Sequence, residues 1–150
     1  MAKEITTEIL INAAPQKVWA ILTDFDSYPR WNPFIKSLQG PVVVGSKITA
    51  RIEPPEGQGM TFTPKVLVFE PNREFRWRGQ LWIPGLFDGE HIFELIDNGN
   101  GTTTFRQREI FYGILVPLFT KMLDINTMNG FLQMNQKLKE LAENQPYSSK

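Results

Sequence analysis

The hydrophobic period of this 150-residue chain changes after Tyr112, and this change limits the possible folds more than any other feature. Before that point, apolar residues mostly alternate with polar ones, which is typical of strands that bury one face. From Leu118 to Glu143 they recur at three- and four-residue steps, which predicts a helix about 39 Å long. A sheet with one apolar face must cover that face, and only this helix is long enough to do so. The sequence therefore predicts an α+β fold in which a curled antiparallel sheet surrounds a long C-terminal helix.

The predicted sheet has about seven strands. The first strand is Lys3–Asn12, and two short helices follow it, one that begins at Pro15 and one over Asp24–Pro33. The remaining strands are Ile35–Gln39, Lys47–Glu53, Met60–Glu70, Glu74–Ile83, Phe87–Ile96 and Thr102–Tyr112. We expect residues 1–145 to form one domain, as the chain length allows, and residues 146–150 to be a frayed tail.

Composition excludes several kinds of chemistry. The chain has no cysteine and one histidine, which excludes thiol nucleophiles and histidine-cluster metal sites, and we expect no metal and no cofactor. Lys and Arg together number 16, as do Asp and Glu, and this net charge of zero makes nucleic acid an unexpected partner. The N-terminus has no signal-peptide pattern, and the longest apolar run, residues 113–119, is too short to cross a bilayer. We therefore expect a cytoplasmic protein without membrane insertion.

Polar residues occur on a strand face that should be buried. In the last predicted strand, phenylalanines mark the inner face, and Gln107 and Glu109 share it because side chains alternate along a strand. In the strand before it, His91 shares a face with phenylalanines. The residues that we assign to the outer face are Arg106 and Arg108.

These inward polar residues should meet across a hairpin, because directly opposed residues share a face. With a three-residue loop around Gly99, His91 lies opposite Gln107 or Glu109. The same reasoning across the preceding turn places His91 opposite Gly79, which leaves a gap in an aromatic wall. Three interpretations stay open: a structural hydrogen-bonded pair of His91 and Glu109, a polar anchor for a ligand, and an acid–base pair.

Several other features have both a structural and a functional interpretation. Tryptophans at strand and helix spacing are expected in the core, except Trp82, whose parity points it outwards to a loop mouth or an interface. Gly130, inside the terminal helix, indicates close packing or a hinge. The outer-face arginines are expected to pair with acidic side chains on neighbouring strands. They are Arg73, Arg76, Arg78, Arg106 and Arg108.

Residues in three segments, spread over nearly the whole chain, also match a known family. The first segment carries Ile9, Ile11, Asn12, Ala13, Pro15, Val18, Trp19, Leu22, Asp24, Phe25, Tyr28 and Trp31-Asn32-Pro33-Phe34. The other two carry Glu70, Pro71, Arg73, Phe75 and Trp77, and Gly101, Thr102, Thr103 and Phe105. On these residues the chain resembles the START/Bet v1-like superfamily (SRPBCC), and within it the polyketide cyclase/dehydrase-like branch.

This resemblance implies a helix-grip fold with a deep cavity between the curled sheet and the C-terminal helix. The loops at residues 54–59 and 84–86 occupy positions that border the cavity entrance in this family, and either loop is a candidate lid or an ordinary hairpin turn. The family includes carriers of lipids and other apolar ligands, hormone sensors and aromatase/cyclases, so the fold does not fix the activity.

We expect the chain to bind a small, mostly apolar ligand (a lipid, a polyketide-like or an aromatic molecule), with His91 and Glu109 as its polar anchor. The residues expected to contact the ligand are Phe75, Trp77, Gly79, His91, Phe93, Phe105, Gln107, Glu109, Phe111 and Met122. One alternative is a polyketide cyclase/aromatase-type enzyme that uses His91 and Glu109 as acid and base. Another is a protein whose cavity is filled by side chains and which acts through its surface. The expected partner is the small hydrophobic molecule, and the sequence allows a monomer or a homodimer.

Overall fold

A computed structural model describes residues 2–55, 57–81 and 83–144 of the chain. Its strands are β1 (Ala2–Ile11), β2 (Ile35–Gln39), β3 (Thr49–Ile52), β4 (Met60–Phe62), β5 (Lys65–Glu70), β6 (Glu74–Leu81), β7 (Phe87–Asp97) and β8 (Thr103–Tyr112). Its helices are α1 (Pro15–Leu22), α2 (Tyr28–Trp31), α3 (Val116–Met122) and α4 (Met128–Asn144), with a 3₁₀ turn at Phe25–Ser27 and a π-helical turn at Leu123–Thr127. Trp82 and the predicted tail at 146–150 lie outside the described residues.

The strands form two antiparallel groups. Five strands pair in the order β1-β8-β7-β6-β5, and three pair in the order β2-β3-β4. A bridge between Lys47 and Lys65 joins the two groups. The predicted strand Met60–Glu70 is divided into β4 and β5, and Pro64, which has no N–H to donate, lies at the break. The α+β helix-grip fold with a curled antiparallel sheet is confirmed, with eight strands in the described residues instead of about seven.

One continuous helix over residues 116–144 packs on the inner face of this sheet. Its side chains at three- and four-residue steps, Phe131, Met134 and Leu138, are fully buried, as the hydrophobic period predicts. The π-helical turn between α3 and α4 has more residues than an α-helical turn, so it rotates α3 relative to α4. Among the described residues, no helix combines the length and the apolar character that crossing a membrane requires.

Gly130 marks a close approach between the helix and the segment that leads into β2. A Cβ at this position would collide with the ring of Phe34, which is itself buried. Phe34 also meets Phe131 edge to face, with ring centroids 5.6 Å apart. Of the two interpretations that the sequence leaves open for this glycine, the structure therefore has close packing.

The outer face of β6, β7 and β8 carries the predicted ion pairs. Arg106 contacts Glu8 at 2.6 Å, and Arg108 contacts Glu94 at 2.9 Å, in both cases on a neighbouring strand. Arg76–Glu90 and Arg78–Asp88 also pair across neighbouring strands. Arg76–Glu74 lies within β6 and Arg73–Glu70 within the turn before it, so these two are not the expected cross-strand pairs. Except in the pair with Asp88, which is buried, these groups keep contact with solvent, so each exposed pair contributes about 0–1 kcal/mol.

Candidate functional site

Strand parity places the polar side chains on the faces that the sequence predicts. His91 on β7 and Gln107 on β8 are fully buried, and the Glu109 side chain is 17% exposed. Arg106 and Arg108 lie on the outer face in the ion pairs described above. Because buried polar groups need partners, the contacts of the three inward side chains decide what this region can do.

The strand register brings His91 and Glu109 together. The two residues pair directly across β7 and β8. The sequence leaves Gln107 and Glu109 as candidates for the residue opposite His91, and the structure has Glu109. The predicted pairing of His91 with Gly79 is wrong, because His91 pairs with Trp77, and Gly79 pairs with Gly89. The connection between β6 and β7 is longer than the three-residue turn that this prediction assumed, which shifts the register by two residues.

A chain of buried hydrogen bonds connects His91 to the C-terminal helix. His91 Nε2 lies 2.9 Å from Gln107 Oε1, and Gln107 Nε2 donates to Asn135 Oδ1 at 2.7 Å. Asn135 Nδ2 donates to Thr7 Oγ1 at 2.8 Å, and the Thr7 hydroxyl donates to the backbone carbonyl of Gln107 at 3.0 Å. All four residues are buried. These hydrogen bonds therefore join β1, β7, β8 and α4 inside the core and leave His91 Nδ1 outside the network.

Glu109 is placed differently, because only one of its carboxyl oxygens faces His91. Oε1 lies 3.5 Å from His91 Nδ1, which has no hydrogen-bond partner among the described residues. Burial raises the pKa of Glu109 to about 8. Burial also lowers the pKa of His91 to about 4, against a smaller upward effect of its hydrogen bond to Gln107. At neutral pH the two groups are therefore a protonated carboxyl beside a neutral imidazole.

A pocket of about 60 Å³ opens beside the Glu109 carboxyl. Gly79 and Gly89, paired on the inner face, line it, and a Cβ on Gly89 would stand 2.5 Å from Glu109 Oε2. Among the described residues that line the pocket, Glu109 carries the one ionisable side chain. The apolar walls are Ile52, Phe62, Pro64, Trp77, Phe87 and Phe111. Gln80 also borders the pocket, but it is exposed and, by alternation along β6, its side chain belongs to the outer face. The described ranges hold no group of three His, Asp or Glu side chains that could bind a metal ion.

Four of the ten residues predicted to contact a ligand border this pocket, namely Trp77, Gly79, Glu109 and Phe111. Five others, Phe75, His91, Phe93, Phe105 and Gln107, do not border it and are fully buried in the core. Phe93 stacks on the His91 ring at 4.4 Å between centroids and on Phe75 at 5.6 Å. These rings therefore contact one another in the core, away from the pocket beside Glu109.

Met122 also lies away from the pocket, and it is about half exposed to solvent. It is 48% exposed, whereas Met134 is fully buried. Met122 is the last residue of α3, immediately before the π-helical turn, so the spacing of the α4 stripe does not extend to it. Of the predicted core tryptophans, Trp19 and Trp77 are buried, and Trp31 packs against the core at its edge.

The two predicted entrance loops are held in different ways. In the loop at 54–59, the side-chain amide of Asn126 lies 3.1 Å from where a Cβ on Gly57 would stand, so this loop approaches the π-helical turn. In the turn at 84–86, the Gly85 N–H donates to the Asp88 carboxylate at 3.2 Å. The Leu86 carbonyl accepts a hydrogen bond from the backbone N–H of Leu115 at 2.9 Å. The second loop is therefore a hydrogen-bonded turn attached to the start of the C-terminal helix.

Sequence reasoning missed Asn135 and the roles of Thr7 and Gly89. Asn135 lies four residues after Phe131 and three before Leu138, in the middle of the buried helical stripe. A polar residue in such a stripe needs a buried partner, and that signal could have identified it. Thr7 and Gly89 fall on the predicted inner faces, but which side chains they meet depends on packing between distant elements.

Fold and pocket together define a class of protein: a helix-grip protein whose inner sheet face holds a small apolar pocket with one carboxyl. The family model described as "Polyketide cyclase / dehydrase and lipid transport" matches residues 2–144. The chain therefore belongs to this family, in agreement with the resemblance seen in its sequence.

Solved structures show the same fold at low sequence identity. The ZhuI aromatase/cyclase from a Streptomyces species is 13% identical, with a TM-score of 0.76 over 95% of this chain and 94% of that one. Norcoclaurine synthase from Thalictrum flavum, in complex with dopamine and hydroxybenzaldehyde, is 13% identical, with a TM-score of 0.74 over 99% and 90%. A START superfamily protein from Mycobacterium smegmatis is 20% identical, with a TM-score of 0.69 over 91% and 97%. No protein of curated function matches the chain significantly.

Proposed function

We propose that the chain binds a small, mostly apolar molecule in the pocket beside Glu109, with the Glu109 carboxyl as its polar contact. The supporting observation is a carboxyl held at 17% exposure among mostly apolar walls. This placement disfavours the charged form of Glu109, and His91 already has Gln107 as a partner. Apolar walls with a few polar groups are the usual form of a small-molecule site. The family description, which names both polyketide cyclases and lipid transport, supports the same reading.

The size of the pocket limits which part of a ligand it can hold. A volume of about 60 Å³ is far below the roughly 300–1,000 Å³ of sites that enclose a drug-sized molecule. We therefore infer that the pocket holds the polar end of the ligand and the atoms next to it. We propose that the remainder lies along β3 and β4, whose Ile52 and Phe62 also line the pocket. Aromatic walls favour an aromatic or otherwise flat apolar body.

A cyclase-type enzyme is the second candidate, and one observation favours it. Glu109, 3.5 Å from His91, has a pKa of about 8, which suits a general acid near neutral pH, whereas the pKa of His91, about 4, makes its imidazole a weak base. However, His91 is fully buried and does not border the pocket, so only Glu109 reaches a ligand there. An enzyme would then depend on Glu109 as its single acid–base group in this pocket.

The substitution Glu109→Gln separates the two candidates. It keeps the size and the hydrogen bonding of the side chain but removes proton transfer. If the chain only binds, the affinity for a co-purified ligand, identified by native mass spectrometry, should change by no more than about threefold. If Glu109 is an acid–base group, turnover should fall by ~10²-fold or more. A purified protein that carries no ligand, and whose melting temperature does not respond to a panel of apolar molecules, would contradict binding and favour a surface-acting protein.

A further inference from the structure

We propose that the pocket selects ligands that end in an uncharged hydroxyl group, an alcohol or a phenol, because Glu109 directs its proton to His91 and presents only an acceptor oxygen to the pocket. This inference rests on the proposed function, since it names the ligand class of the same pocket. It follows from the direction of the buried hydrogen-bond chain, which can be read from one end to the other.

The donor-to-acceptor direction of the hydrogen-bond chain is set where it ends, at the backbone carbonyl of Gln107. A backbone carbonyl can only accept, so the Thr7 hydroxyl, 3.0 Å from the Gln107 carbonyl, must donate its single proton there. Thr7 Oγ1 can then only accept from Asn135, which turns Asn135 Nδ2 towards it at 2.8 Å. The reverse orientation would leave two acceptor oxygens in contact at 3.0 Å with no proton between them.

The same direction continues to the imidazole. Because Asn135 Nδ2 donates to Thr7, Asn135 Oδ1 is free to accept from Gln107 Nε2. Gln107 Oε1 then faces His91 Nε2. Nε2 must therefore carry the imidazole proton, which leaves a lone pair on Nδ1. Nδ1 is buried without a hydrogen-bond donor among the described residues, and Glu109 Oε1 lies 3.5 Å from it. With a small movement, a protonated Glu109 can donate to Nδ1 and so extend the hydrogen-bond chain to the pocket.

The Glu109 proton then determines what the pocket offers. Burial raises the pKa of Glu109 to about 8, so the proton is present at neutral pH. Donation from Oε1 to His91 Nδ1 leaves Oε2, which faces Gly89, as an acceptor beside the pocket. A ligand hydroxyl can donate to Oε2. A ligand ether, carbonyl or carboxylate needs the Glu109 proton for itself, and that would leave Nδ1 buried without a partner.

The proton arrangement can be tested without any ligand. His91 is the only histidine of the chain, so ¹⁵N labelling of histidine gives one pair of ring-nitrogen signals. We expect a protonated Nε2 and an unprotonated Nδ1 at pH 7. Thr7→Val removes the hydroxyl that sets the direction and should give a mixture of tautomers, whereas Thr7→Ser should keep the single tautomer. A protonated Nδ1 in the unsubstituted protein would overturn the inference.

The ligand class can be tested with three probes that share one body: 2-naphthol, 2-methoxynaphthalene and 2-naphthoate. By isothermal titration calorimetry at pH 7, we expect 2-naphthol to bind at least tenfold more tightly than either of the others. Glu109→Gln should keep this order, because its amide can donate to Nδ1 and present its carbonyl to the pocket, whereas Glu109→Leu should lose it. Equal affinity for the ether, or tighter binding of the carboxylate, overturns the ligand class and leaves the binding site standing. Absence of binding by all three probes overturns the proposed function and the ligand class with it.

Discussion

The carboxyl of Glu109 occupies the space that any side chain at position 89 would take, because a Cβ on Gly89 would stand 2.5 Å from Glu109 Oε2. The paired Gly79 has different surroundings, since a Cβ there would meet Pro64 at an ordinary 3.5 Å. Two adjacent glycines on one sheet face therefore have separable roles. Gly89 makes room for the carboxyl, and Gly79 keeps the pocket beside it open.

Gly89→Ala should displace the Glu109 carboxyl, but it should lower the free energy of unfolding by no more than about 1 kcal/mol, because the displaced atoms are the free end of a flexible side chain. Gly79→Ala is the matched control, and it should change the free energy of unfolding by no more than about 1 kcal/mol, in either direction. Urea denaturation of both variants measures the difference. Measured at pH 6.5 and at pH 8, the free energy of unfolding should fall less in Gly89→Ala than in Gly79→Ala, because a displaced carboxyl is better solvated. The same pH dependence in both variants would contradict the role assigned to Gly89.

The pair of Glu109 and His91 also predicts how stability depends on pH. The pKa of Glu109 rises from 4.5 to about 8 on folding, so the free energy of unfolding should fall as the pH rises through that interval. The pKa of His91 falls from 6.5 to about 4, so its contribution rises with pH and is complete above about 6.5. Between pH 4.5 and 6.5 the two groups change the free energy of unfolding in opposite directions. Between pH 6.5 and 8, of these two groups only Glu109 still changes it.

We therefore expect the free energy of unfolding to fall by about 1–2 kcal/mol between pH 6.5 and 8. Glu109→Gln removes the titrating group and should remove most of this decrease. Chemical denaturation of both proteins at several pH values measures it, and groups that titrate elsewhere in the chain cancel in the comparison. The same decrease in both proteins would show that Glu109 is ionised throughout this interval.

Asn135→Leu should destabilise the protein by about 1–3 kcal/mol, because it leaves Gln107 Nε2 buried without an acceptor. Gln133→Leu, at an exposed position of the same helix, controls for the change in helix composition and should have little effect. Denaturant midpoints of the two variants provide the measurement. If Asn135→Leu leaves the stability unchanged, the buried hydrogen-bond chain contributes no net stability.

Gly130→Ala should lower the free energy of unfolding by about 1–2 kcal/mol, although alanine is the better helix former by about 1 kcal/mol. The reason is the ring of Phe34, which stands where the new methyl group must go. Adding Phe34→Leu should recover part of the loss, so a double-mutant cycle by thermal denaturation gives the coupling between the two sites. A stabilising effect of Gly130→Ala alone would refute the close contact.

The inner and outer faces of the strands were predictable because alternation along a strand does not depend on its partners. A register error of two residues keeps each side chain on its face, so His91 and Gln107 were assigned correctly although the β6–β7 register was wrong. The partner across β6 was not predictable in this way. It depends on the length of the connection, and the change from Gly79 to Trp77 follows from that length alone.

The pocket and the contacts between the C-terminal helix and the sheet were harder to predict, since both depend on packing between elements far apart in sequence. Asn135 meets Thr7 only after α4 is laid across β1. Met122 lies before a π-helical turn, which no hydrophobic period indicates. The size of the cavity depends on how far aromatic rings such as Phe93 fill it, and that is set by rotamers and sheet curvature together.

The most direct test of the account is calorimetric titration of 2-naphthol into the unsubstituted protein and into Gly79→Leu, whose larger side chain should fill the pocket without displacing Glu109. Near-UV circular dichroism and the melting temperature establish that the variant is folded. We predict saturable binding to the unsubstituted protein and at least a tenfold loss of affinity in the folded variant. Equal affinity in the two proteins would contradict the assignment of the binding site to this pocket.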